Sequence, residues 1–178
     1  MSRKPDPEPW SIPVRISEIA RSPQSRKLEP DEAARAAIAA DLDLEALPTF
    51  SAEVRLSQWE DGAELHGRWR ARVTYRCGIT LEPFDAELAG EFTVRAVPHD
   101  SPLAAPPEAP SDEVDLDPEA DDPPDVLEGD ALDVGAYLVE HLALELEPFP
   151  RKPGAVFEPP VMAEPESPFA VLKALKKE

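Results

Sequence analysis

Apolar and polar residues alternate from position 65 to position 97, and that period of two predicts a long β-hairpin. On the first arm Leu65, Trp69, Ala71, Val73, Tyr75 and Cys77 share one face, with His66, Arg68, Arg70, Arg72, Thr74 and Arg76 on the other. On the second arm Phe84, Ala86, Leu88, Phe92, Val94 and Ala96 point inward, and Asp85, Glu87, Glu91, Thr93 and Arg95 outward. Residues 78–83 make the turn, and the tightest pairing sets Cys77 opposite Phe84. Arg76 then faces Asp85, Thr74 faces Glu87 and Arg70 faces Glu91. Opposite charges across a ladder help to hold register, because a one-residue slip sends every apolar side chain to the solvent face. The arginine row has two readings, a solvated and cross-paired sheet face or a stripe for phosphate.

The same logic extends along the chain. Trp10, Ile12, Val14 and Ile16 alternate, which predicts a strand that Pro13 confines to an edge, and a connector follows over 17–29. Pro30, Asp31 and Glu32 open a helix whose stripe is Ala34, Ile38 and Leu42. Phe50, Ala52, Val54 and Leu56 form a strand that enters the long hairpin through a two-residue turn at Asp61-Gly62. That turn sets Glu53 opposite Arg70, Ser57 opposite His66 and Arg55 opposite Arg68. A short strand is expected at 124–128. Asp133 caps a helix running to about Glu147, which closes over the apolar face of the sheet with Val134, Leu138, either His141 or Leu142, and Glu145 along one side, broadened by Tyr137, Leu144 and Leu146. His141 on that helix reads as a structural or edge residue. Ser167 and Pro168 begin a short terminal helix carrying Phe169, Leu172, Lys173 and Lys176.

The fold class expected is therefore α+β: an antiparallel β-meander, open or barrel-like, packed against helices. The expected organisation is a disordered segment over 1–9, one domain over 10–149 and a proline-rich tail over 150–178. Composition adds a second feature. The 178 residues include 23 prolines and carry a net charge of -19, which suits a small core with extended, solvated segments. From 98 to 130 there are about a dozen Asp and Glu and no Lys or Arg, and the stretch over about 98–124 reads as a disordered acidic loop, either a solubilising insertion or a lure for basic partners. Such a chain repels nucleic acid at long range, so no DNA partner is expected and basic proteins are the natural ones. No signal-peptide pattern opens the sequence and no run reaches the roughly 20 apolar residues of a membrane helix, so a cytoplasmic protein without a membrane partner is expected.

Chemistry is hard to place on this chain. It has seven glycines and no phosphate-binding glycine loop, and its one cysteine and three histidines (His66, His99 and His141) make no metal cluster. Neither a catalytic residue nor a cofactor is expected. Cys77 reads as a small buried hydrophobe or as the surviving half of a metal pair.

Three separated motifs resemble the YceD-like family, the bacterial large-ribosomal-RNA-subunit accumulation proteins. Cys77-Gly78-Ile79-Thr80-Leu81-Glu82-Pro83-Phe84 is similar to the family's C-x-x-C-L-E-P-F element. Residues 132–151 are similar to its leucine-aspartate, helix and proline-rich exit, and residues 167–176 to its P-F-A-x-L-x-x-L-K ending. The resemblance implies a non-enzymatic role in the accumulation of large-subunit (23S) ribosomal RNA. Thr80 stands where many members have a second cysteine, so no metal is predicted, and the turn is expected to be held by packing of Leu81, Pro83 and Phe84.

The reading that follows is a ribosome-biogenesis factor acting by binding a basic ribosomal protein, 23S ribosomal RNA or both. Its candidate binding residues are Arg68, Arg70, Arg72, Arg76, Arg151 and Lys152, with Phe169, Leu172, Lys173 and Lys176 on the terminal helix. The alternatives are direct RNA binding through the arginine-lined face and an RNA-processing enzyme.

Overall fold

The computed structural model describes residues 9–104 and 123–157. The described elements run β1 (Pro13–Arg15), α1 (Ile16–Ile19), β2 (Gln24–Leu28), α2 (Glu32–Asp41), β3 (Ala46–Trp59), β4 (Gly62–Arg76), β5 (Pro83–Pro98), β6 (Asp125–Leu127), β7 (Ala131–Asp133) and α3 (Val134–Leu144). This is the expected α+β class. Five strands form one sheet in the order β2-β3-β4-β5-β6, antiparallel except where β6 joins β5 in parallel, and β1 pairs separately with β7. The sheet is open, not a closed barrel.

The alternating pattern sorts the two faces as its period requires. Leu65, Trp69, Ala71, Val73, Tyr75 and Cys77 are buried, as are Phe50, Ala52, Val54 and Leu56 on β3. A register shift between Ala46 and Thr49 also turns Leu47 into the core. Trp10, Phe50 and Trp69 continue the packing edge to face, with ring centroids 5.7 and 6.1 Å apart. Val134, Leu138, Val139 and Leu142 of α3 join the same cluster, so this helix does close over the apolar face. Burying a side chain of this size stabilises the fold by about 1.5–3 kcal/mol.

The β1–β7 ribbon positions the lid. Asp133 caps α3 by accepting from the amides of Gly135 and Ala136, and the same oxygen accepts from Ile12 N at 2.8 Å. One carboxylate thus joins the N-terminal segment to the helix start.

Several expectations are corrected. The strand foreseen from Trp10 to Ile16 is only Pro13–Arg15, because Ile16 already begins α1 and its amide bonds Asp130 O. The connector over 17–29 contains β2, whose alternation is too short and too charged to stand out. The capped helix ends at Leu144 and not near Glu147, which leaves Leu144 exposed instead of widening the buried stripe.

Both hairpin registers move by two residues, a slip that preserves the faces. The first turn is Glu60-Asp61, and Gly62 pairs with Trp59 as the first residue of β4. Glu53 therefore lies opposite Arg68, Arg55 opposite His66 and Ser57 opposite Glu64. The glycine is needed for space: a Cβ on Gly62 would stand 2.0 Å from Ala96 O. In the second hairpin Tyr75, not Cys77, faces Phe84, so Thr74 meets Asp85, Arg72 meets Glu87 and Arg68 meets Glu91. Cys77 has left the ladder to organise the loop.

Residues 98–104, expected within the acidic loop, form a turn bound back to the first hairpin, with Ser101 Oγ donating to Asp61 Oδ1 at 2.9 Å. The rest of that loop over 105–122, the N-terminal residues 1–8 and the terminal helix lie outside the described residues.

Candidate functional site

β4 carries the predicted arginine row on the outer face of the sheet, because every second residue of a strand points the same way. Its charges are mostly spent on neighbouring acids. Arg68 makes a two-pronged contact with Glu91, at 3.0 and 3.2 Å. Arg72 bonds Glu87 at 2.7 Å, and this partner holds its guanidinium above the ordinary value. Arg76 reaches Glu45 at 2.5 Å instead of Asp85, which bonds Thr74. Lys27 on β2 is 2.9 Å from Glu53 and holds that carboxyl below the usual range. His66 lies between Thr93 and Glu91. Among the described residues Arg70 makes no ion pair. Lys27, Ser51, Glu53, Arg68 and Arg70 line a shallow depression of about 600 Å³ on this face.

A second cluster sits at the β4–β5 connection. Residues 77–82 form a loop closed by Cys77 N to Glu82 O and Leu81 N to Cys77 O, both at 2.9 Å. The Cys77 sulfur accepts from the amides of Ile79, Thr80 and Lys152, each at 3.4 Å. Gly78 N bonds Pro150 O, and Lys152 Nζ reaches Glu82 Oε2 at 2.8 Å. The Thr80 hydroxyl and these amides pull the Cys77 thiol down to about 6. Sulfur and backbone, not packing of Leu81, Pro83 and Phe84, therefore hold the turn. Leu81 takes a positive φ of 60° and is 67% exposed, and Pro83 is exposed; only Phe84 packs, against Tyr75.

Of the candidates named from sequence, the fold brings Lys152 to the Cys77 loop and leaves Arg151 exposed beside it. Arg68, Arg70, Arg72 and Arg76 form a separate line on β4. Phe169, Leu172, Lys173 and Lys176 lie outside the described residues. Sequence reasoning missed Glu45 and Glu82 as partners, and it missed the exposed apolar residues around the loop. Leu81, Leu144, Phe149, Val156 and Phe157 are all exposed, and they belong to the loop, to the last position of α3 and to the segment that follows it. The run Glu147-Pro148-Phe149-Pro150 was the available signal, since a helix exit that retains a large apolar residue between prolines invites the question of what it touches. No group of three His, Cys, Asp or Glu able to hold a metal occurs among the described residues. His141 stacks on Phe92 with centroids 3.8 Å apart, and burial lowers its pKa, in keeping with a structural role.

The family of the large ribosomal RNA subunit accumulation protein YceD matches residues 65–176. The chain belongs to this family. The match takes in β4 from Leu65 onward, the Cys77 loop, β5 and α3, and begins after the first hairpin turn. Comparison with curated proteins and with solved structures gives no match. The family's name supports a role in ribosome biogenesis and describes an accumulation protein, not an enzyme. No helix among the described residues is long and apolar enough to cross a membrane.

Proposed function

We propose that this protein supports accumulation of large-subunit ribosomal RNA as a non-enzymatic binding factor in the cytoplasm, and that its direct partner is a basic ribosomal protein. The observation that carries the choice of partner is the neutralised arginine row. Arg68, Arg72 and Arg76 each face a carboxylate, so the row offers little free charge to a phosphate backbone. The chain as a whole, at -19, draws basic proteins and raises their encounter rate. Depletion followed by gradient analysis of ribosomal subunits tests the role. A fall in large subunits and their RNA is expected, and an unchanged ratio of large to small subunits rejects it. Affinity capture with and without nuclease tests the partner: a large-subunit protein retained after nuclease supports a protein contact.

A second reading, direct RNA contact, is favoured by Arg70, which has no ion pair among the described residues. It predicts binding of ribosomal RNA fragments that weakens steeply with salt and is reduced by Arg70→Glu.

A further inference from the structure

Among the described residues seven large apolar side chains stand exposed, and five of them, Leu81, Leu144, Phe149, Val156 and Phe157, belong to the Cys77 loop or to the chain from the end of α3 onward. Exposed apolar groups gathered in this way mark a surface that something covers. The main chain at this end is firmly anchored. Glu147 N donates to Tyr75 Oη at 3.2 Å, Gly78 N to Pro150 O at 2.9 Å, and Lys152 N to the Cys77 sulfur at 3.4 Å. Residues 144–152 thus run from the end of α3 past the end of β4 and along the 77–82 loop. Phe149 on this anchored stretch is nevertheless 81% exposed, and Leu144 72%. Leaving such side chains in water forgoes about 1.5–3 kcal/mol of burial for each.

Charge narrows the choice of occupant. Glu145 and Glu147 flank the apolar side chains, are exposed and make no ion pair among the described residues. The acids of the outer sheet face differ in this, since Asp85 bonds Thr74, Glu87 bonds Arg72 and Glu91 bonds Arg68. A fitting segment is therefore apolar with cations at its border, and the chain carries one. On the helix that the sequence predicts from Ser167, Phe169, Val171, Leu172 and Leu175 share one side. Lys173, Lys176 and Lys177 lie along its flank, and residues 167–177 contain no acid. The tether is short. The described residues end at Phe157, itself exposed and apolar, and residues 158–166 separate it from Ser167. Such a stretch reaches at most about 30 Å. A segment so tethered meets the surface at an effective concentration on the order of millimolar, whatever the protein concentration, an advantage that neither a second copy nor a free partner has. A helix of about three turns is marginal in water unless it packs, so both surfaces gain from the contact. The family match runs through residue 176 and so holds this segment and the anchored stretch together.

We propose that residues 167–177 dock in cis, as an amphipathic helix, on the surface that carries Leu81, Leu144 and Phe149, with their lysines beside Glu145 and Glu147. This goes beyond the partner reading above and does not rest on it. It gives the terminal segment a place on its own domain, over the loop that Cys77 organises.

Amide hydrogen exchange on the full chain tests it. In the natural protein, exchange at residues 170–176 is expected to be at least tenfold slower than in the same sequence as a free synthetic peptide, equally at low and high protein concentration. Phe149→Asp, at an exposed position, is expected to abolish that protection while the protection of β4 stays unchanged. Leu103→Asp, which alters an exposed apolar side chain elsewhere, should leave it intact. Reversing both acids, Glu145→Lys with Glu147→Lys, should reduce it at least threefold, and no reduction overturns the placing of the lysines. Exchange at the free-peptide rate overturns the proposal, because the segment then does not cover the surface. So does protection that grows with concentration, which gives the surface to a second copy, or protection that appears only when ribosomal protein is added, which gives it to the partner. Protection that survives Phe149→Asp puts the segment elsewhere on the domain and overturns it as well. Large-subunit accumulation is decided separately, by depletion.

Discussion

β4 is entered and left through two connections that are held in opposite ways. The first, Glu60-Asp61, is two residues long and is fixed by steric exclusion, since Gly62 sits where Ala96 O and Val97 Cα leave no room for a Cβ. The second, residues 77–82, is loose in side-chain terms and is fixed by one sulfur and by backbone groups of Pro150 and Lys152, the latter 75 positions away. A turn held by its neighbours' bulk cannot move without parting strands. A loop held by distant hydrogen bonds can open alone. The family match includes the second connection and not the first.

The largest effect is expected at the tight end. Gly62→Val forces β4 and β5 apart, because the clashing atoms are backbone and cannot rotate away. A loss of about 3 kcal/mol or more, or failure to fold, is expected in urea unfolding. Unchanged stability would mean that the two strands separate here without cost. Next comes Cys77→Ala, which deprives three amides of their acceptor. The melting temperature should fall by several degrees. Amide exchange should speed up at residues 78–82 and at Lys152 while Glu60 and Asp61 keep their protection. Loss of protection at both ends would show the two connections to be one cooperative unit.

The same sulfur makes the second connection sensitive to pH. Its thiol is held at about 6, below its value in an unfolded chain, so the folded state favours the thiolate. Stability from this source is fully present above the unfolded thiol's pKa of about 8.5. It is lost as pH falls toward about 6. Melting temperature should therefore rise across that window in the natural protein and rise less in Cys77→Ala. Thiolate absorbance gives the midpoint directly, and a midpoint near the ordinary thiol value would show that the amides do not hold the anion. At the tight end, Ser101→Ala removes the bond to Asp61 and an acceptor for Leu103 N. It should cost about 1 kcal/mol.

What could be read from the chain divides along the same line. The faces of β3, β4 and β5 were legible because burial on one side imposes a period of two, and α3 was legible from Asp133 and the spacing of Val134, Leu138 and Leu142. Register was not. The Asp61-Gly62 pair reads as a turn, whereas Gly62 serves close approach to Ala96 and Val97 near the end of β5, which nothing beside Gly62 in the sequence announces. Cys77 reads as the last rung of a ladder, whereas its sulfur collects two amides of its own loop and one from Lys152. The partners Glu45 and Lys152 come from elsewhere in the chain, and one sequence carries no local sign of them. The three family motifs were visible as residues, yet the bonds that make Cys77 and Lys152 one structure are to sulfur and backbone.

The smallest expected effect separates the sulfur from the ion pair beside it. Lys152 Nζ and Glu82 Oε2 are 2.8 Å apart, and each shifts the other toward its charged form. Both side chains are substantially exposed, where water screens the pair and ordering two long side chains offsets the gain. Lys152→Met retains the backbone amide that reaches Cys77 and removes only the ammonium. Its melting temperature should match the natural protein within measurement scatter, and the thiolate midpoint should stay near that of the natural chain. If the midpoint instead rises as far as it does when the loop is opened, the ammonium, not the amide ring, holds the sulfur's charge. The second connection would then be an electrostatic clamp that salt could release, and the contrast with the steric first turn would become one of screening as well as of distance.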